Sequence, residues 1–411
     1  MHFIYNISIN IIILVLQPFR IFSNRLNDFF KDRASSLKSI EQKIKPNDKT
    51  IWFHVASLGE FEQIKPIVKE LKSEDHRLKI LISFFSPSGF QASLNYSLAK
   101  RVYLPMDTKK NAKSFINQIN PNVAVFVKND IWTNYLIELR KKEIPTYSIS
   151  SKFQKSQFYF KVYGKWFFNK LKQIDYFFVQ DNTSKELLNF NNIDNVSVTG
   201  DTRIDRVKEI VKEDKQFTSI ERFINNDICF IAGSSWQEDY TIFLKSIIQR
   251  SKLKTIIAPH NIVDSEIRNL EKMTKSLSIR YSRIDRDLDP GKKILIIDSI
   301  GSLKHLYKFA DIAYVGGGMG NQGLHNILEA AVFEIPIIIG KNFKGFSEAE
   351  ELVKLGGVKS ISSEVEFNDV FNNLISNKNV REKMGEINKD YIYSNSGGSE
   401  EIIKALKKSL V

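Results

Sequence analysis

A single cysteine in 411 residues, Cys229, leaves no intramolecular disulfide to form. It lies in the apolar run "ICFIAGS", where the thiol reads as a small core residue in a reducing compartment. No Cys/His spacing of a zinc site is present, and no RNA-binding aromatic signature or basic helical arm. The P-loop pattern is missing and no G-x-G-x-x-G follows the first strand-like run, so ATP and dinucleotide sites lack their fingerprints. Neither a repeat between the two halves nor a low-complexity tract is found. What the chain does carry is positive charge, 60 Lys and Arg against 47 Asp and Glu, a net +13. Such a balance suits nucleic acid, a membrane surface or an anionic substrate, and without its signatures nucleic acid is the weakest of the three. An apolar content of 42% with 26% charged residues is ordinary for a globular protein. At this length two domains of roughly 150–200 residues each are expected.

Long apolar runs are also scarce. The exception, "FIYNISINIIILVLQPF" at 3–19, is interrupted by Asn6, Ser8 and Asn10 and contains Pro18 near its end. It lies at the short limit for a spanning helix. No basic region precedes it and no small-residue cleavage site follows, so it fits a signal peptide poorly. A buried helix of the first domain is one reading. The flank Arg20, Arg25, Lys31 and Arg33 favours another, a membrane anchor, spanning or interfacial, with the rest of the chain in the cytoplasm.

From residue 50 onward short apolar runs alternate with amphipathic stretches. The runs "IWFHVAS" (51–57), "LKILISFF" (78–85), "RVYLP" (101–105), "VAVFVK" (123–128), "IPTYSIS" (144–150) and "IDYFFVQ" (174–180) form a first set. A charged stretch at 200–227 follows, and then a second set: "ICFIAGS" (228–234), "KTIIAPH" (254–260), "KILIID" (293–298), "DIAYVGGG" (311–318) and "IPIIIG" (335–340). Continuous apolar runs separated by helices predict parallel sheets covered on both faces, hence two α/β domains. A last helix at about 398–410 presents Ile402, Ile403, Leu406 and Leu410 on one face.

In such sheets ligands gather at the carboxyl ends of the strands. In the second set those ends are small or polar. Gly233, Ser234 and Ser235 are expected to open a helix and seat a phosphate. Gly316, Gly317 and Gly318 with Gly320 and Gly323 offer backbone N–H groups to an anion before a helix starting near His325. Asn326 and Glu329, three apart on that helix, are placed to hold ribose hydroxyls. Pro259 with His260, and Gly301, Ser302 and Leu303, reach the same rim. Turn chemistry alone also explains any one of these glycines, and either histidine is as readily a hydrogen-bonded structural residue.

Taken in order, "WFHVASLGE", "YLPMD", "GDTRID", "AGSSWQED", "GGGMGNQGLHNILEAA" and "GKNFKGFSEAEEL" resemble the motifs of the Kdo transferases, which attach 3-deoxy-D-manno-octulosonic acid (Kdo) to lipid A. The resemblance runs from the N-terminal anchor to about residue 355. It implies an α/β protein of GT-B architecture, two Rossmann-like parallel-sheet domains facing a cleft, with an N-terminal membrane-anchoring helix. The expected division is 1–36 for anchor and basic flank, 37–205 for the acceptor-side domain, 206–395 for the CMP-Kdo-binding domain and 396–411 for a C-terminal helix. The implied reaction is inverting, from CMP-Kdo to a lipid A precursor (lipid IVA) at the inner membrane, without cofactor or protein-held metal. Lipopolysaccharide core biosynthesis is the implied setting. The implied CMP contacts are Ser234, Ser235, Pro259, His260, Gly301, Ser302, Leu303, Gly317, Gly318, Asn326, Ile327, Leu328 and Glu329. The implied partners are the donor, the lipid and an anionic membrane surface, with no nucleic acid.

The resemblance makes Glu60, in the S-x-G-E block, the general base. Read from spacing alone, Ser57 to Glu60 fits a capping box equally well. Pro66 suggests that the regular helix starts near that residue, leaving Glu60 in a loop. Two positions depart from the family pattern. Where M-E-T-E-x-W is common, this chain has "VKNDIW", so Lys128 replaces an acid credited with stabilising the transition state and Asp130 is the acid that stays. Arg203 stands for a lysine and keeps the charge, able to grip a carboxylate or phosphate. "APH" lacks an arginine beside Pro259. The aromatic, basic stretch 151–168 reads either as a core-facing helix with a solvated basic side or as an interfacial patch that handles lipid. Three alternatives share these features: a GT-B enzyme using a UDP-sugar and a lipid acceptor, a nucleotide-sugar epimerase, and a non-catalytic member that binds nucleotide sugars.

Overall fold

The computed structural model describes residues 1–41, 48–213 and 215–410. Asp214, within the charged stretch 200–227, and Val411, at the end of the expected C-terminal segment, lie outside the described residues. The chain forms two compact units, residues 1–206 with 395–411, and residues 207–394.

In the first unit seven parallel strands run β1 (Thr50–Val55), β2 (Lys79–Phe84), β3 (Lys100–Tyr103), β4 (Val123–Val127), β5 (Thr146–Ser151), β6 (Tyr176–Val179) and β7 (Val196–Val198). Their spatial order is β3-β2-β1-β4-β5-β6-β7. Because side chains alternate across a strand, Trp52, Ala124 and Phe126 join one core while Ile51, Phe53, Val55, Val123, Val125 and Val127 join the other. Every residue of β1 and β4 is buried, which is why both read as unbroken apolar runs. Helix α1 (His2–Leu16) has no buried residue, whereas α2 (Asn24–Glu41) places Phe30, Arg33 and Ile40 in the unit.

The second unit repeats the plan with β8 (Ile228–Ser235), β9 (Leu253–Pro259), β10 (Ser278–Arg280), β11 (Ile294–Ile296), β12 (Ile312–Val315), β13 (Ile337–Gly340) and β14 (Val358–Ile361). Here the order is β10-β11-β9-β8-β12-β13-β14, again parallel. The last helix, Gly398–Lys408, returns to the first unit, where Ile402, Ile403 and Leu406 pack with Phe53 and Val125. Asp205 accepts from the Gly397 and Ser399 amides at 2.7 and 2.8 Å, a carboxylate at a helix N-terminus. A side chain at Gly398 would meet the Thr199 carbonyl, so the close approach requires glycine.

Several expectations are corrected. Helix α3 (Leu58–Glu74) starts well before Pro66, which lies buried inside it. β8 continues through Ser235, and the next helix opens at Gln237, so the Gly-Ser-Ser segment ends a strand rather than starting a helix. The helix anticipated near His325 covers only Leu328–Ala331. The stretch 151–168 is not one helix: single 3-10 turns at Phe158–Phe160 and Val162–Gly164 precede a short helix at Lys165–Leu171. β7, β10 and β14 have no counterpart among the apolar runs read from the sequence.

Candidate active site

In the first unit the carboxyl ends of β1 and β4 bring four titratable side chains together. Glu60 lies in the first turn of α3, 6% exposed. Its own N–H donates to the Ser57 hydroxyl at 3.4 Å, and its carboxylate accepts a short hydrogen bond from the Ala56 N–H. The Ser57 half of the capping box is therefore real, but the Glu60 carboxylate bonds the amide before the N-cap rather than that of Ser57 itself, and the loop placement is not observed. Burial raises the Glu60 carboxyl above its ordinary value, and the nearby Asp130 charge raises it further. The Ala56 N–H, the Lys128 ammonium and His54 pull the other way without cancelling the shift.

His54 is fully buried in β1. The Trp52 indole N–H, which can only donate, reaches the Ser83 hydroxyl at 2.8 Å, and that hydroxyl is 2.8 Å from His54 Nδ1. With the Ser83 O–H turned to Nδ1, the imidazole carries its proton on Nε2, which faces Asp130 at 3.3 Å. Asp130 also accepts from the Trp132 indole N–H at 3.3 Å. The outcome is a His54 imidazole bonded to Ser83 and 3.3 Å from Asp130, beside a buried Glu60 whose affinity for protons is raised.

Lys128 comes one residue after β4, with a left-handed φ of 60°. A non-glycine residue there is strained, and it is held by three hydrogen bonds: its N–H to the Ile149 carbonyl at 2.8 Å, and its own carbonyl accepting from Ser148 and Ser151 at 3.0 and 2.8 Å. The backbone is fixed while the side chain is exposed. Arg203 takes a different position. Its side chain binds the Asp201 carboxylate through Nε at 2.7 Å and Nη2 at 2.5 Å, and Gln63 shares that carboxylate at 3.1 Å. Burial alone would raise the Asp201 carboxyl, but the Arg203 charge and hydrogen bonds hold it below its ordinary value.

In the second unit the residues expected around a nucleotide collect at the ends of β9, β8 and β12, which are neighbours, and in the loop after β11. Pro259 closes β9, and the His260 N–H donates to the Ser235 carbonyl at 3.0 Å. Ser234 is left-handed at φ 49°, whereas the Ser235 hydroxyl is buried between the Tyr240 hydroxyl and the Ala258 carbonyl. Gly301 is exposed with a φ of 89°, Ser302 lies 3.3 Å from Ser299, and Leu303 starts a four-residue helix. The Asn326 side-chain oxygen Oδ1 accepts from the Leu328 N–H at 3.2 Å. Glu329 is half-buried, while Ile327 and Leu328 are fully buried core residues.

The glycine loop is corrected in one respect. The Gly316 N–H donates to the Gly233 carbonyl at 2.9 Å and the Gly317 N–H to the Asp239 carboxylate at 3.2 Å, so two of the five supposed anion donors are already used. Gly317 and Gly318 are buried, and a side chain on Gly317, at φ 91°, would strike the Gly323 carbonyl. Asp239 organises the turn, since it also accepts from Tyr314 at 2.6 Å and from the Trp236 N–H at 2.8 Å. Burial raises its carboxyl despite these donors.

Three rings stack at this rim. Trp236 lies 4.5 Å from His260 and His260 4.4 Å from His325, centroid to centroid. The Trp236 indole N–H donates to His325 Nε2 at 3.0 Å, which leaves the His325 proton on Nδ1. Burial, then the His260 charge, lower the His325 imidazole to about 4, so it is neutral at pH 7. The sequence reading passed over His54, Ser83, Trp236 and Asp239. His54 had one signal, a lone titratable residue inside an apolar strand, but its partners come from β2 and the loop after β4. Among the described residues no group of three or more His, Cys, Asp or Glu side chains is placed to hold a metal ion.

Two seven-stranded parallel sheets in separate Rossmann-like units define a GT-B fold. UDP-GlcNAc 2-epimerase from Neisseria meningitidis is similar to it (17% identity, TM-score 0.63, covering 87% of this chain and 100% of that one), as is MurG from Acinetobacter baumannii (9%, 0.58, 88% and 99%). Within that class the chain resembles the Kdo transferases. The family model described as "3-Deoxy-D-manno-octulosonic-acid transferase (kdotransferase)" matches residues 30–206. A 3-deoxy-D-manno-octulosonic acid transferase from Haemophilus influenzae is 27% identical over 89% of this chain and 88% of its own length. A bifunctional glycosyltransferase/methyltransferase from Fusobacterium nucleatum is 26% identical over 82% of this chain, which spans about half (53%) of that longer protein. These matches support a glycosyltransferase of the Kdo transferase kind.

Proposed function

We propose that the chain transfers Kdo from CMP-Kdo to a phosphorylated lipid A precursor with inversion at the sugar carbon, and that Glu60 is the general base. The observation that carries this reading is the Glu60 carboxylate, buried, raised above its ordinary value and set beside the His54–Asp130 pair, in a chain that resembles Kdo transferases. In the proposed step the acceptor hydroxyl gives its proton to Glu60 while its oxygen bonds to the anomeric carbon of Kdo. The bond from that carbon to the CMP phosphate breaks, and the phosphate leaves with the electron pair. A carboxylate with a raised affinity for protons suits this task. Lys128, where an acid is common in the family, meets the donor carboxylate or phosphate and stabilises the charge that develops. Arg203, positioned by Asp201, adds a second cation on the acceptor side. The second unit holds CMP through the backbone around Ser234, His260, Gly301 and Ile327, with Glu329 on the ribose.

Mass spectrometry of lipid IVA incubated with membranes carrying the protein and CMP-Kdo tests the class of reaction. A gain of one or more Kdo units is expected. An unchanged lipid with CMP-Kdo, together with modification by a UDP-sugar, would overturn the reading.

A further inference from the structure

Arg33 of α2 carries a positive charge into the interior of the first unit. It is 3% exposed, and its guanidinium lies over three rings, 3.4 Å from the centroid of Phe29, 4.9 Å from Phe85 and 5.2 Å from Tyr103. Nη1 donates to the Phe29 carbonyl at 3.0 Å, within the helix, and Nη2 makes a short hydrogen bond to the Phe85 carbonyl. Among the described residues Nε has no hydrogen-bond partner. Burial lowers the guanidinium to about 10, so it remains a cation at pH 7. Burying a charge costs free energy, and an apolar side chain of similar size would fill this space at lower cost. What the arginine adds is a rigid, directed hold on Phe85.

Phe85 follows directly on β2, and its backbone is gripped from both sides. Its carbonyl is held by Arg33, while its N–H donates to the Val55 carbonyl at 3.2 Å. That carbonyl belongs to the same peptide unit as the Ala56 N–H, which bonds the Glu60 carboxylate. The next residue continues the pairing, the Ser86 N–H donating to the Ala56 carbonyl at 3.0 Å. Gly89 closes on the same turn, where a side chain would come within 3.2 Å of the Leu58 nitrogen and the Ser57 carbonyl carbon. The Phe85 ring lies 5.1 Å from Trp132, whose indole N–H donates to Asp130 and whose ring is 5.2 Å from His54. Helix α2 is itself anchored, the Tyr103 N–H donating to Ser36 at 3.1 Å. Helix α1 docks elsewhere, its Tyr5 hydroxyl donating to Asp107 at 2.5 Å and its His2 meeting Asn134 at 3.0 Å.

We propose that Arg33 is a positioning residue for Glu60: it pins Phe85, and through Phe85 the Val55–Ala56 peptide that orients the carboxylate. The charges that act on Glu60, those of Asp130, Lys128 and His54, are separate from this tie and stay in place when Arg33 is replaced. That the oriented carboxylate takes a proton from an acceptor rests on the proposed function; the tie does not.

The test follows the Glu60 carboxyl in the full-length protein by infrared titration with carbon-13-labelled glutamate, its band assigned by its loss in Glu60→Gln. The Ala56 N–H lowers the Glu60 carboxyl, so loosening that bond raises the midpoint. Arg33→Gln should raise it by about 0.5–1 pH unit, the equivalent of one weakened hydrogen bond. The kcat for Kdo transfer should fall by about tenfold or more, as a misplaced group predicts, with CMP affinity by calorimetry unchanged. Arg33→Lys keeps the charge and the stem but not the planar fork. It should shift the midpoint the same way by less, and it carries the test where the glutamine variant does not fold. A parental midpoint in either folded variant, with a lower melting temperature as the sole change, would make Arg33 a packing residue and overturn the proposal. A midpoint that depends on Arg33 in a protein without Kdo transfer would instead remove the proposed function and leave the tie standing.

Discussion

Glu60 serves two roles that a single substitution can separate. Its carboxylate accepts from the Ala56 N–H at the start of α3, and its raised affinity for protons suits it to take one from a hydroxyl. Glu60→Gln keeps an acceptor for Ala56 and removes the base. Transfer should fall by about 10²–10⁴ while the melting temperature stays close to the parent's. Glu60→Ala removes the acceptor too, at a further cost of about 0.5–2 kcal/mol in stability. Lys128 separates in the same manner. Lys128→Gly relieves the left-handed backbone and should be about 1 kcal/mol more stable by denaturant unfolding. Its kcat/KM should nevertheless drop by about 2–4 kcal/mol if the ammonium meets donor charge, and Lys128→Ala should show the same loss of rate. Near-normal rates in both would reduce Lys128 to a solvated strand end. Glu329→Ala should weaken CMP binding by calorimetry and leave acceptor binding unchanged. Trp236→Phe keeps the stack on His260 but frees the His325 tautomer, and it too should weaken CMP binding.

Among the elements, what could be read from the sequence depended on burial. β1, β4 and β8 are covered on both faces and stood out as apolar runs, whereas β7, β10 and β14 are sheet edges with polar residues such as Ser197, Arg280 and Lys359. The rims of the strands were legible because small residues punctuate them; the ties across them were not. Asp239 holds the glycine loop and Ser83 orients His54 only after strands distant in sequence become neighbours. Pro66 misled because a proline usually marks a helix start, yet here Phe61, Ile64 and Ile67 around it are fully buried. Their burial outweighs a local cost of about 3 kcal/mol. The docking of α1 was equally invisible, since it depends on Asp107 and Asn134. Burial raises the Asp107 carboxyl from 3.8 to about 6. A raised carboxyl favours the native state most below pH 3.8, and that contribution is lost as pH rises through about 6. Asp107→Asn should therefore flatten the stability–pH curve across that window, as followed by denaturant unfolding. An unaltered curve would mean that Asp107 does not titrate there.

For the whole molecule, the chain returns to its beginning. The first unit is closed by the last helix, whose Ile402, Ile403 and Leu406 lie in the core beneath β1 and β4. Removing residues 398–411 should expose that core and lower the stability of the first unit by several kcal/mol, on the scale of about 2–5 per deleted large core side chain. The central claim is that a raised carboxylate in this unit takes the acceptor proton, and the pH dependence of Kdo transfer from CMP-Kdo to lipid IVA tests it most directly. The parent enzyme should lose kcat/KM on the acid side with a midpoint above the ordinary carboxylate value of 4.5, and in Glu60→Gln that limb should vanish together with most of the rate. A Glu60→Gln enzyme with the parent's rate and the same acid limb would contradict the account.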